Sequence, residues 1–392
     1  MNILVCHNLY RTRGGEDSVF EAETALLRAR GHAVRTYTRD SRELDDAGLP
    51  RKLHAFVQGF ASGRTRRDIA QLVAEDPPDV VHVHNVWPLI SPTLYGAVKD
   101  HGIPVVQTIH NFRFFCINGL LLRNGRPCHL CQRGSAWHGL RYRCLHGSLI
   151  YSAWYAAIQA LHRHRRTFTN LVDRYIALNG FTRTLLIDAG FDPERVVVKP
   201  NAATVSERHV TDEPEPYLLF VGRLSEEKGV MTLLRAARLV PEQPLRIIGD
   251  GPLAEAMRAC IDAEGMQHVE MLGYQPPEVV ERHLARATAC VFTSECYENC
   301  PLAIVNSVSL GTPVIASNVG GVPEFIPEDE TGWLFPPGDY EALAERMRRV
   351  AANRAAVNTR RPQLREWGRA VFSEDANYDA LMRIYHRVIG KS

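Results

Sequence analysis

The chain has 392 residues, 45% hydrophobic and 23% charged, which is the composition of a globular protein and excludes a disordered or fibrous one. At about 150 residues per domain this is too much chain for one ordinary core, so two domains are expected. With 46 basic and 44 acidic side chains the net charge is only +2, which excludes the broad basic field of a nucleic-acid binder.

The opening MNILVCHNLY is too short for a secretory apolar region and lacks a basic leader or a small-residue cleavage site, so it predicts a first strand. Nine cysteines, an odd count, fit reduced thiols in a reducing compartment, and the protein is expected to be cytoplasmic. Cys6, Cys260, Cys290, Cys296 and Cys300 lie in or beside apolar runs and read as core thiols. The longest mostly apolar stretch, LIYSAWYAAIQAL (149–161), is shorter than the ~18–20 residues that span a bilayer.

Along the chain, NILVCH, a helical pattern at 18–30, AVRTYT, VVHVHN, a helix near 92–100 and PVVQTIH alternate as in a parallel sheet with crossover helices. The rhythm returns with YLLFVG, LRIIGD, VEMLGY, ACVFTS and PVIASN, separated by helices near 229–239, 252–264 and 277–286 and by the one beginning near Pro301. The boundary is expected at TDEPEPY (211–217), where acidic residues and two prolines interrupt both periodicities. The reading is α/β: two doubly wound Rossmann-like domains facing a central cleft, at 1–210 and 211–373, followed by a helix at 374–392. An Arg-rich stretch at 345–369 reads as weakly structured. Ligands of such sheets bind beyond the carboxyl ends of the strands.

Polar or glycine-rich turns stand at those ends. RTRGGED follows the first strand, and the Gly14–Gly15 backbone can approach a phosphate or sugar closely, although G-x-G-x-x-G is absent. QTIHN puts His110 at another strand end, while His82 and His84 on VVHVHN read as structural. VGRLSEEKG offers Arg223 and Lys228 beside a helix start, a good diphosphate site or an ordinary charged surface. GDGP (249–252) is a turn, with Pro252 suited to the first helical position. YENCPLAIVNSVSLGTPVI carries Glu298 in a turn and Asn306 in an almost wholly apolar helix. A dry, unpaired carboxamide costs roughly 1–3 kcal/mol, so either the fold or a ligand must satisfy it.

Taken together, GRLSEEKG, GDGP, E-x7-N, GTPVIASNVGGVPE and the early Gly-Gly resemble glycosyltransferase family 4, retaining enzymes of the two-Rossmann GT-B fold. The resemblance implies that the C-terminal half binds a nucleotide-sugar donor and the N-terminal half an acceptor, with the last helix crossing back to the N-terminal domain. It implies that Arg223 and Lys228 neutralise the donor diphosphate and that Glu298 hydrogen-bonds the transferred sugar. The backbone from Asn299 through Leu302 and Ala303 would line the sugar and phosphates, although Pro301 has no N–H. Gly15 would lie over the phosphates and His110 near the reacting sugar. Asn306 stands where the family usually has a second glutamate on the ribose hydroxyls. The resemblance further implies that the chemistry needs no metal base, the leaving phosphate oxygen taking the acceptor proton.

Cys116, Cys128, Cys131 and Cys144, spaced C-x11-C-x2-C-x12-C in an insertion at about 111–147, could hold a structural zinc or be four reduced thiols. In AWYAAIQALHRHRRTF, Trp154, Tyr155 and Phe168 adjoin His162 to Arg166. That fits an interfacial helix on anionic lipid at the inner face of the cell membrane, or a partly buried helix with a solvated basic end. The expected function is sugar transfer onto a glycan or lipid-linked oligosaccharide in cell-surface polysaccharide synthesis. A non-catalytic GT-B scaffold of a glycan-assembly complex is the alternative, and a GT-B sugar-nucleotide epimerase the weaker third.

Overall fold

The computed structural model describes residues 1–45, 48, 55–206, 213–327 and 331–390. Part of the boundary segment, Thr211 and Asp212, lies outside them. Two compact units are present: Met1–Leu121 with Cys128–Pro200 and Asn377–Ser392, and Asn201–Ala376 with Leu122–Pro127.

The first unit holds a parallel sheet of β1 (Asn2–Leu9), β2 (Ala33–Asp40), β3 (Val80–Asn85), β4 (Val105–Ile109), β5 (Arg174–Ala177) and β6 (Val196–Val198), in the order β2-β1-β3-β4-β5-β6. Every residue of β3 and β4 is buried, as expected where both faces of a parallel sheet are covered. The strand order reverses between β1 and β3. A helix, α1 (Gly15–Ala29), follows β1, burying Val19, Phe20, Leu26 and Leu27. Asp17 accepts from the Gly14 N–H at 2.9 Å and so closes its first turn.

The second unit holds β7 (Leu218–Val221), β8 (Leu245–Ile248), β9 (Val269–Gly273), β10 (Ala289–Phe292), β11 (Val314–Ser317) and β12 (Gly332–Phe335), in the order β9-β8-β7-β10-β11-β12. Its reversal lies between β7 and β10, the crevice where open α/β sheets bind ligands. The helices used below are α2 (Trp137–Arg141), α3 (Leu149–His164), α4 (Val230–Arg238), α5 (Leu302–Leu310), α6 (Arg361–Phe372) and α7 (Glu374–Ile389).

Three sequence expectations are corrected. The Arg-rich stretch 345–369 is helical, in Tyr340–Ala352, Arg354–Thr359 and α6. The charge pattern hid this because Arg361 is buried, donating to the carbonyls of Ala287 (2.9 Å) and Ala285 (2.5 Å) and to Thr312 Oγ1 (3.0 Å). Gly368 lets α6 lie on α5, since a Cβ there would be 2.7 Å from the Val308 backbone. Pro252 sits in a turn, and the next helix begins at Ala254. On α3, Tyr155 is buried and Trp154 donates its indole N–H to the Phe56 carbonyl at 2.7 Å, so these aromatics serve the interior. Among the described residues no helix is long and apolar enough to cross a membrane.

The last helix packs within the first unit from Asn377 onward. Its Tyr385 hydroxyl lies 2.7 Å from His82 Nδ1, and Tyr378 lies 2.8 Å from His32 Nε2.

Candidate functional site

In the second unit the ends of β7 and β10, on either side of the reversal, bring Lys228 and Glu298 together. Lys228 Nζ donates to Glu298 Oε1 at 2.5 Å, and Ser294 Oγ donates to the same oxygen at 2.7 Å. Burial pulls the Lys228 ammonium down, but the adjacent Glu298 carboxylate outweighs it and holds the pKa above the usual lysine value. The loop carrying Lys228 lies close on β10. Thr293 Oγ1 donates to the Lys228 carbonyl at 2.7 Å, and Gly229, at φ 63°, has no room for a Cβ, which would lie 2.1 Å from the Thr293 carbonyl. Arg223, on the same loop, is exposed.

The GDGP glycines serve this packing. A Cβ on Gly249 would lie 1.8 Å from the Gly222 carbonyl, and one on Gly251 would lie 2.4 Å from that of Leu224. Asn299 is buried in the turn before α5, and Leu302 and Ala303 form its first turn, where N–H groups lack intrahelical acceptors.

Asn306 is half-buried rather than buried, and Thr204 engages both ends of its amide. The Thr204 N–H donates to Oδ1 at 3.0 Å, and Nδ2 donates to Thr204 Oγ1 at 3.3 Å. The fold itself therefore meets the hydrogen-bonding need that the sequence raised. Replacing Asn306 by alanine should cost about 0.5–1.5 kcal/mol of stability, the usual worth of such bonds. Denaturant melts check this, and an unchanged midpoint would return the amide to a ligand-binding role.

In the first unit, His110 follows β4 and places Nε2 2.9 Å from His84 Nδ1 on β3, the two rings stacked with centroids 5.1 Å apart. Behind them His84 Nε2 lies 3.3 Å and His82 Nδ1 3.0 Å from Glu23 Oε1, while Lys199 Nζ donates to Glu23 Oε2 at 3.1 Å and to Asn377 at 3.0 Å. Burial pushes Glu23 up, but Lys199 and His82 outweigh it and hold the carboxyl well below the usual range. Burial, with help from His82, pulls His84 down to about 4, and burial, with help from His84, also holds His110 well below the usual histidine value. VVHVHN thus builds a buried ionic cluster rather than isolated core histidines. The alternating histidines on a buried-type strand were the signal.

Gly14 and Gly15 are exposed at the start of α1, and a Cβ on Gly14 would meet nothing within 4 Å. The fold places no steric demand for glycine at position 14. The sequence reading passed over Glu16 beside them. Its Oε2 accepts from Tyr10 Oη at 2.9 Å and from Asn111 Nδ2 at 3.3 Å, and burial pushes its carboxyl up to about 7. A lone acid in a glycine turn gave no sequence signal, because only the fold brings Asn111 to it.

Of the four insertion cysteines, Cys116 and Cys131 are buried and Cys128 and Cys144 half-buried. Burial pushes the Cys131 thiol up to about 11, with the other three adding to the effect. Among the described residues the metal-type donors lying within 4.8 Å of one another are Glu23, His82 and His84, not these thiols. That trio already has a cation in Lys199, and His82 Nε2 is engaged with Thr108 Oγ1 at 2.8 Å.

Cations at a sheet reversal beside a helix start, in a pair of Rossmann-like units, are an arrangement suited to a nucleotide diphosphate. Comparison with known sequences makes this particular. Residues 13–207 match Glycosyltransferase Family 4 and residues 202–370 match Glycosyl transferases group 1. The chain belongs to this glycosyltransferase family, and its fold is GT-B. It is 30% identical over 173 residues to the amylovoran biosynthesis glycosyltransferase AmsK of Erwinia amylovora, covering 42% of each chain. It is 32% identical over 140 residues to the putative colanic acid biosynthesis glycosyltransferase WcaL of Escherichia coli, covering 33% of this chain and 34% of that protein. The matched parts thus span well under half of these relatives. The fold is similar to sucrose-phosphate synthase from Thermosynechococcus elongatus (TM-score 0.71, 18% identity, all of both chains). It is also similar to Anabaena Alr3699/HepE, solved with UDP-glucose (TM-score 0.66, 17% identity, 98% of this chain and 99% of that one).

Proposed function

We propose that this protein moves a sugar from a nucleotide-sugar donor, with retention, to a glycan or lipid-linked oligosaccharide acceptor in the synthesis of a cell-surface polysaccharide. The observation that carries the reading is the Lys228–Glu298 pair at the β7/β10 reversal, with Arg223 exposed on the same loop. A diphosphate calls for fixed cations and a sugar hydroxyl for a carboxylate acceptor, and this corner offers both. The glycan-assembly titles of AmsK and WcaL and the UDP-glucose bound by HepE support the same direction.

In the proposed reaction the bond from the sugar's anomeric carbon to the diphosphate breaks, and one to the acceptor oxygen forms on the same face. The acceptor proton passes to the departing phosphate oxygen. Lys228, Arg223 and the first N–H groups of α5 stabilise the charge that builds on the diphosphate. Glu298 orients the sugar, and His110 is the residue of the first unit that the family resemblance assigns to the same step.

A scaffold without turnover is the second reading, favoured by one observation: Thr204 already holds the Asn306 amide, at the position where the family usually grips ribose. Thermal-shift screening of UDP-, GDP- and ADP-sugars, followed by release assays with an acceptor, separates the two. The enzyme is expected to be stabilised by one donor and to release its nucleotide. Stabilisation by none of them would favour the scaffold.

A further inference from the structure

His82 and His84 stand two residues apart on β3 and so point to one face of the sheet, where α1 presents Glu23 to both. His110 follows β4, the strand paired with β3. The result is a chain of contacts: Glu23 Oε1 to His84 Nε2 at 3.3 Å, then His84 Nδ1 to His110 Nε2 at 2.9 Å. His84 is buried, and its ring is walled by Phe20 edge-on at 5.7 Å and by His82 at 4.5 Å. The cavity beside the His84 and His110 rings measures about 10 Å³, room for no more than one water. The protein, not bulk solvent, therefore decides where the ring protons sit. Lys199 keeps Glu23 ionised, so that carboxylate only accepts. Among the described residues His84 Nε2 has no hydrogen-bond partner other than this carboxylate. A bare lone pair there would face an anion in a dry interior, so Nε2 carries the proton. Burial keeps His84 neutral, which makes its Nδ1 an acceptor, and the bond between the two rings is donated by the His110 Nε2–H. His110, kept neutral by burial as well, is left with an acceptor at Nδ1 and no second N–H.

We propose that Glu23 and His84 are positioning residues that lock His110 in its Nε2–H tautomer, so that His110 meets the transferred sugar with Nδ1 as a hydrogen-bond acceptor. The tautomer rests on the geometry alone, and what His110 meets rests on the sugar-transfer reading. A histidine held this way takes a hydrogen bond from a sugar hydroxyl and fixes that hydroxyl's direction. It has no spare proton to give, so it orients the sugar and does not serve as a general acid. The buried Glu23–Lys199 pair thereby sets the polarity of the whole chain, because only an ionised carboxylate obliges His84 to turn its N–H inward and its lone pair toward His110.

The test uses the full chain with isotope-labelled histidine, in which two-bond nitrogen–proton correlations at neutral pH show the nitrogen that carries each ring proton. His110 is assigned by the signals that His110→Ala removes, and His84 by those that His84→Gln removes. Both rings are expected to carry the proton on Nε2. A proton on Nδ1 of His110, or a doubly protonated ring, would overturn the proposal. Glu23→Leu with Lys199→Met exchanges the buried pair for apolar groups and should move the His110 proton to Nδ1. An unchanged pattern in that folded variant would overturn the part given to Glu23. Kinetics supply the second readout. His84→Leu should lower kcat about tenfold while the donor KM changes less than about twofold, since the substitution mis-sets an orienting group and removes no donor contact. His84→Gln, whose amide donates to the carboxylate and accepts from His110, should recover most of that rate. Thermal melts show that each variant is folded. Wild-type kcat in folded His84→Leu, or a loss that His84→Gln does not relieve, would overturn the positioning role. A wild type that turns over no donor would count against sugar transfer, and the spectra would still decide the tautomer.

Discussion

Glu298→Ala and His110→Ala are each expected to leave a folded protein that has lost sugar transfer by at least about tenfold, and the pair together by orders of magnitude. A charge-assisted hydrogen bond contributes about 1.5–3 kcal/mol, and roughly 1.4 kcal/mol is a factor of ten in rate. Glu298 sits in a loop with its side chain 14% exposed, and the Lys228 it would abandon is 26% exposed, so water can take over the freed ammonium. The loss should therefore fall on catalysis more than on stability. His110→Ala leaves His84 Nδ1 without its ring partner, a cost of about 1–3 kcal/mol, which most domains tolerate. Initial rates with a saturating donor, set beside thermal melts, separate the two effects. A folded double variant with wild-type turnover would falsify the assignment of these residues to the sugar.

The largest stability effect is expected at Lys199. Its ammonium is 2% exposed and is the cation that keeps Glu23 ionised among His82 and His84. Lys199→Ala would strand a buried carboxylate, at about 3–5 kcal/mol, whereas Glu23→Gln with Lys199→Met removes both charges and should recover most of the loss. Urea midpoints of the three proteins test this, and a single-variant loss below about 1 kcal/mol would mean that water reaches the pair. The same cluster sets the acid response. His84 takes its proton near pH 4 when folded and near 6.5 when unfolded, so between these values the unfolded chain binds more protons. Stability should then fall with pH, by up to about 1.4 kcal/mol per unit for such a group, and His110 shifts in the same direction. Glu16 acts oppositely. With a folded pKa of about 7 against ~4.3 unfolded, it binds its proton first in the folded state and gives stability back as pH falls between those values. Glu16→Gln should therefore steepen the acid loss between about pH 6.5 and 4.5. A slope unchanged by the substitution would show that Glu16 titrates at an ordinary value.

The sequence by itself determined the two parallel sheets, because strands covered on both faces must be apolar and the crossover helices between them must be amphipathic. It also determined the turns that carry Gly15, His110, Arg223, Lys228 and Glu298, since glycine, proline and charge at the carboxyl ends of strands are local features. Short strands such as Arg174–Ala177 and Gly332–Phe335, with four residues each, escaped because so few residues carry no period. The Arg-rich helices escaped because buried carbonyls, invisible in one dimension, accept the hydrogen bonds of the Arg361 guanidinium. Only the tertiary structure decided the rest. It joined Glu23, His82, His84 and Lys199 into one cluster, set Asn111 on Glu16 and gave the Asn306 amide to Thr204. Each of these pairs residues far apart in the chain, and a hydrogen bond or ion pair depends on a few ångströms that periodicity does not encode.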